Sequence, residues 1–152
     1  QRHRVPMVYI SSTSVYAESA GGWVDEMSPV ALDDERSMAM LEAEKTVLKS
    51  GGTVLRCAGI YGPGRDLRSG SEGPERWLNV IQVADAARAV GLVLGRENGV
   101  YNVCENEPLR RGTPDGCWPE GRRERRNKRV SNAKIRGLGW QPVWKSGCLN
   151  TN

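Results

Sequence analysis

The sequence predicts an α/β protein built around a parallel sheet. Val5–Ile10 is a continuously apolar run with the pattern of a strand buried on both faces, and Thr53–Cys57 reads as a second buried strand. Between them Met38, Leu41, Ala43, Val47 and Leu48 recur at helical spacing over Asp34–Lys49, a helix long enough to cross from one strand to the next. Strand, helix and strand in that order is the pattern of a parallel α/β sheet.

Each element has a local reason. The first strand stops on Ser11, Ser12, Thr13 and Ser14, and "ESAGGWVDEMSPV" follows as a surface loop rich in Gly, acid and Pro. Asp33 or Asp34 caps the helix and Gly51–Gly52 ends it. A Gly-Pro-Gly turn, Gly62–Gly64, closes the second strand. Downstream, "WLNVIQV" reads as a strand, "ADAARAVGLVLG" as a closely packing helix capped by Asp85, and "GVYNVCEN" as a further strand. Glu107–Lys128 shows no periodicity and is expected to be irregular. "SNAKIRGLGWQP" is a short helix capped by Ser131 or Asn132 and stopped at Gly137 or Gly139.

Charge and cysteine usage narrow the function classes. The net charge of +4 is local: Arg110–Arg129 holds eight Lys or Arg against Asp115, Glu120 and Glu124. The run "RRERRNKR" could neutralise phosphates, but it lacks interleaved aromatics, and a solvated loop is the better reading than a nucleic-acid patch. Cys57, Cys104, Cys117 and Cys148 are widely separated, and His3 is the one histidine, so zinc-ligand spacing is missing. They read as reduced thiols of a cytoplasmic protein. No apolar run approaches the roughly 20 residues of a membrane span. A chain that opens without Met and enters a strand at once reads as lacking an upstream portion.

The hydroxyls of "SSTS" lie where open α/β sheets bind ligands, at the carboxyl end of a strand. There a Ser can hold a substrate oxygen during proton and hydride transfer. Spacing alone puts simple strand termination ahead.

Six stretches in order, "VYISSTSVY", "LEAEKTVL", "TVLRCAGIYGPGR", "NVIQVADAARAV", "YNVCENEP" and "NAKIRGLGWQP", resemble the second half of the extended short-chain dehydrogenases, the NAD(P)-dependent epimerase/dehydratase family. The resemblance implies the second half of a Rossmann-type parallel sheet plus a small, partly degenerate carboxyl-terminal substrate domain. Residues 1–66 would be a remnant of the dinucleotide-binding domain. Residues 67–152 would be substrate-domain-like, with elements near 79–95 returning to the sheet and an irregular basic segment over 107–128. NAD or NADP is the implied cofactor, a small molecule the implied substrate, and a homodimer through the helix over Asp34–Lys49 a partner arrangement the family allows.

Residue by residue, the resemblance makes Ser12, three positions before Val15, the catalytic hydroxyl. It places Ser11 and the backbone of Cys57, Ala58, Gly59 and Ile60 against the cofactor, and Arg36 and Arg65 on the substrate. No metal is implied.

The pattern breaks at its chemical centre. The family's Tyr-x-x-x-Lys pair passes a proton from a phenol whose pKa the Lys depresses. Anchored on Glu44, the acid four beyond that Lys, the Lys position falls on Met40 and the Tyr position on Arg36. Arg36 stays protonated and Met40 carries no charge, so Tyr-based catalysis is not expected. Met40 is best read as core filler. Arg36 is either a solvated helix residue or a fixed cation that grips a phosphate or carboxylate. Gly59 stands where sugar-nucleotide members tend to carry Asn, which loosens the expectation of a nucleotide sugar.

The Gly-x-x-Gly-x-x-Gly phosphate loop is absent, and "GIYGPG" has the wrong spacing for it. The first strand should therefore show a bare edge. The expected function is the carboxyl-terminal portion of an NAD(P)-dependent epimerase/dehydratase-like oxidoreductase, not active alone; the alternative is a non-catalytic NAD(P)-binding or sensing protein. A Ser-His-Asp hydrolase would have to use His3 and lacks the Gly-x-Ser-x-Gly elbow. Asp25 and Glu26 are adjacent loop acids, better read as solvated or capping than as an acid/base pair.

Overall fold

The computed structural model describes residues 5–65, 67, 73–96, 98–112 and 126–146. His3, Cys117, Cys148 and the centre of the Arg-rich run fall outside them. Three parallel strands form the main sheet: β1 (Val8–Ser12), β3 (Thr53–Cys57) and β7 (Gly99–Val103), in the order β1-β3-β7. Helix α1 (Glu35–Lys49) is the crossover between the first two. β3 is buried at all five residues, Arg56 among them.

α1 begins as expected. The Asp34 carboxylate accepts the Arg36 and Ser37 amides at 3.3 Å each. It ends on Gly51, at φ 81°, whose amide donates to the Leu48 carbonyl at 3.0 Å while that of Gly52 donates to Val47 at 2.9 Å. On the opposite face of the sheet Leu55, Cys57, Tyr101 and Val103 pack with Ala86, Ala89 and Val93 of α2 (Val83–Val93). Each large apolar side chain buried there contributes about 1.5–3 kcal/mol.

Several elements differ from expectation. The first strand runs later than Val5–Ile10, so Ser11 and Ser12 belong to it. "WLNVIQV" is two strands, β5 (Arg76–Leu78) and β6 (Val80–Gln82), separated at Asn79. Asn79 lies between them, its side chain bridging the Lys128 carbonyl and the Val130 amide while its own carbonyl accepts the Gly59 amide at 3.1 Å. β6 pairs with β4 (Gly59–Tyr61) in parallel.

Part of the segment expected to be irregular is ordered: β8 (Leu109–Arg111) runs antiparallel to β5. The acidic loop contains β2 (Trp23–Val24), paired with β9 (Arg129–Val130). Helix α2 is capped by Gln82, whose side chain accepts the Ala84 amide, and not by Asp85. The last helix, α3 (Ala133–Arg136), ends at Gly137.

Among the described residues β1 bonds only β3, so its outer edge is open. Val5 is 83% exposed and Ile10 46%. No described helix is long and apolar enough to cross a membrane, and no metal-ligating cluster occurs among the described residues.

Candidate functional site at the strand ends

A polar row crosses the α1 face of the sheet. Ser11 pairs in register with Arg56, and Arg56 with Asn102, one from each strand. Glu44 of α1 descends onto this row. Its carboxylate takes Arg56 Nε at 3.0 Å, Arg56 Nη2 at 2.7 Å and the Ser11 hydroxyl at 2.6 Å, all buried. The guanidinium also lies over the Tyr16 ring, 5.0 Å from its centroid. Tyr16, fully buried, donates to Asn102 Oδ1 at 2.6 Å. A two-oxygen acceptor facing a planar fork fixes both the height and the rotation of the helix.

That clamp sets what stands above the strands. As a crossover between parallel strands, α1 starts at their carboxyl ends. Arg36 precedes Glu44 by eight residues and Met40 by four. At 1.5 Å per residue they lie about 12 and 6 Å further toward, and beyond, the strand ends. α1 also packs against the 3-10 turn Thr13–Val15 that follows Ser12. Arg36 is exposed, and its guanidinium has no hydrogen-bond or ion-pair partner among the described residues; Met40 is partly buried.

The site residues expected from sequence divide into three groups. Ser12 and Cys57 are register partners at the ends of β1 and β3, so they share one rim. Ser12 Oγ accepts the Ser14 amide at 3.1 Å, which leaves its proton free to donate. Ser11 is turned into the Glu44 cluster, and Ala58 is buried with its amide bonded to the Val103 carbonyl at 3.0 Å. Gly59 and Ile60 follow in β4, with Gly59 exposed; a Cβ there would lie 3.3 Å from the Asn79 carbonyl. Arg65 is exposed beyond a tight turn in which Gly62 and Arg65 exchange backbone bonds of 3.0 and 2.9 Å.

None of the described groups near this rim is an obvious proton acceptor. Burial pushes the Cys57 thiol up to about 12, so it stays neutral. Burial likewise raises the Tyr16 phenol, against the opposing effect of Arg56. Tyr61 donates to Glu105 Oε1 at 2.6 Å, and burial with that neighbouring carboxylate raises it further.

Glu105 was not anticipated. It is buried just beyond β7 and accepts Tyr61 Oη, the Ser146 amide at 3.0 Å and the Ser146 hydroxyl at 2.8 Å. Asp85, 1% exposed, accepts the Val143 and Trp144 amides at 2.9 Å each. Two carboxylates thus strap residues 143–146 beside β4, β6 and β7. Asp25 caps its own turn through the Met27 amide at 2.9 Å, and Glu26 accepts the Asn102 amide at 2.7 Å.

Three of the described arginines flanking the Arg-rich centre, Arg110, Arg126 and Arg129, have partners inside the molecule. Arg126 pairs with Asp33 at 2.7 Å, Arg110 with Glu75 and the Trp77 face, and Arg129 lies against both Trp77 and Trp23. Lys128 is buried, and burial together with Arg126 pulls its ammonium down to about 8. Cations spent in this way neutralise few phosphates.

No protein-family model and no curated protein matches the chain. Solved structures do. A functionally unknown conserved protein from Silicibacter pomeroyi is 27% identical with a TM-score of 0.70, covering 90% of this chain and 60% of its own. A provisional NAD-dependent epimerase/dehydratase from Methylobacillus flagellatus is 28% identical with a TM-score of 0.70, covering 90% and 58%. The UDP-glucose 4-epimerase of Thermus thermophilus, solved with NAD, is 18% identical with a TM-score of 0.71, covering 93% and 60%.

The parallel sheet, the crossover helix and the strand-end rim define a partial Rossmann-type α/β fold. The solved structures to which the chain is similar include an NAD-dependent epimerase/dehydratase, and the chain spans about 60% of the length of the structures it matches.

Proposed function

We propose that the chain is the carboxyl-terminal portion of an NAD(P)-dependent epimerase/dehydratase-like oxidoreductase, supplying the substrate side of the site and not active alone. The observation that carries this is the register pairing of Ser12 with Cys57 under the start of α1. Such a cofactor would accept or give a hydride beside that rim. The residues present suit its nicotinamide half: Ser12 and the open backbone at Gly59 would face it. They do not suit its pyrophosphate, for the chain holds no glycine-rich strand-turn-helix loop. The domain division at residue 66, a small-molecule substrate and a homodimer through α1 belong to the same proposal.

A second reading, a non-catalytic NAD(P)-binding or sensing protein, is favoured by one set of observations. By the resemblance Arg36 and Met40 fall at the proton-relay positions, and the Tyr16 and Tyr61 phenols are committed to Asn102 and Glu105. A chimera separates the two readings. The chain is fused behind the amino-terminal part of the Methylobacillus flagellatus relative, and NADH binding and oxidation are measured with a panel of carbonyl substrates and nucleotide sugars. The catalytic reading expects binding with substrate-dependent oxidation. Binding with oxidation at background, rising only when Arg36→Tyr and Met40→Lys are introduced together, selects the sensing reading. Failure to bind NADH in a folded chimera contradicts both.

A further inference from the structure

We infer that the rim around Ser12 and Arg36 takes a ligand carrying an oxoanion, a carboxylate or a phosphate, held by hydrogen-bond donors alone. The inference deepens the functional reading above and rests on it. Arg36 is a permanent cation with five donors and no acceptor. It is exposed and unpartnered among the described residues, yet its helix is held in place by the buried Glu44–Arg56 fork. A cation on a fixed helix loses less freedom on binding than one on a loop.

The remaining groups agree in sign. Ser12 has its proton to give. Arg65, also exposed, is a second guanidinium, which the family resemblance would put on the substrate. Cys57 is a neutral thiol, and Met40 and Ile60 are apolar. The nearby acids among the described residues are Asp34, which caps the helix amides, so the helix end itself is not the site, and Glu35, which is adjacent in sequence to Arg36 and does not share its side of the helix. Donors without a free acceptor match a ligand oxygen bearing negative charge, and a neutral sugar hydroxyl would lose the hydrogen bond that it donates.

The test is a two-dimensional amide NMR titration of the chain at constant ionic strength, with inorganic phosphate in one arm and acetate in the other. We expect saturable shifts at Ser12–Ser14 and Arg36–Ser37, weakened at least tenfold by Arg36→Met and about threefold by Arg36→Lys, which keeps the charge but not the fork. Both variants are exposed substitutions, and unchanged shifts elsewhere in their spectra report an intact fold. The stronger arm identifies the oxoanion. Shifts confined to Arg110 and Arg129, or rim shifts that Arg36→Met leaves unaltered, overturn the inference. A third arm with NADH keeps the parent reading separate: rim shifts with NADH but none with either anion sink the inference and leave the functional reading standing.

Discussion

Glu44→Leu is expected to cost about 3–5 kcal/mol, lowering the melting temperature by roughly 10 °C, because it strands a buried guanidinium without its carboxylate. Arg56 is 5% exposed and Nη1 already lacks a hydrogen bond, so it has little water to fall back on. The Ser11 hydroxyl, bonded to Glu44 at 2.6 Å, loses its acceptor in the same step. Arg56→Met alone leaves the carboxylate stranded and is expected to cost a similar amount. The double variant, with both charges replaced by apolar groups, recovers most of the loss, since what destabilises is the orphaned charge more than the missing pair. Thermal unfolding of the four proteins checks this. Additive single and double losses would show that the pair is not coupled.

Glu105→Ala is the second large effect. It removes the acceptor of the Tyr61 hydroxyl, the Ser146 amide and the Ser146 hydroxyl at once, each a buried donor worth about 1–3 kcal/mol when left unsatisfied. A total of about 3 kcal/mol is expected, since release of the chain end lets water reach some of these groups. The distinguishing sign is local. Amide exchange at Trp144 and Ser146 should accelerate at least 100-fold, while amides of β3 change only as global stability changes. Tyr61→Phe, which removes one bond of the three, should cost about 1 kcal/mol and leave the Ser146 amide protected. Uniform loss of protection in Glu105→Ala would mean that the strap is not a separate unit.

How far the sequence could be read follows from where each signal resides. β3, α1, α2 and β7 were legible because a parallel sheet covered by helices imposes apolar runs and helical spacing within one short window. The rim was legible through order: Ser12, Glu44 and Cys57 each sit in a stretch with its own pattern, and Glu44 alone located Arg36 and Met40. Its partner Arg56 was invisible, since an Arg in a run of apolar residues gives no sign that the bidentate acceptor lies 12 residues back on a helix.

Asp85 misled for a similar reason. An acid in the first turn of a helix reads as a cap, and nothing local shows that its Oδ2 accepts amides 58 and 59 residues away. The two-residue strands β2 and β9 are made by backbone pairing of remote segments, which carries no periodicity. β8 was hidden among arginines because Arg110 gains its place by lying on Trp77 and pairing with Glu75, contacts that composition cannot reveal. The polar row itself inverts the usual rule that strands in a buried sheet bury apolar side chains, and such inversions concentrate where a fold must hold a functional geometry.

The most direct test of the account is a measurement of nuclear Overhauser contacts in the isolated chain between the end of β1, the end of β3 and the first turn of α1. Cross-strand contacts of a parallel ladder joining Ser12 to Cys57 and Ala58, together with contacts from Arg36 side-chain protons to Thr13–Val15, are the predicted result. Antiparallel contacts between those strands, or an Arg36 side chain whose contacts lie only within its own helix, would contradict it.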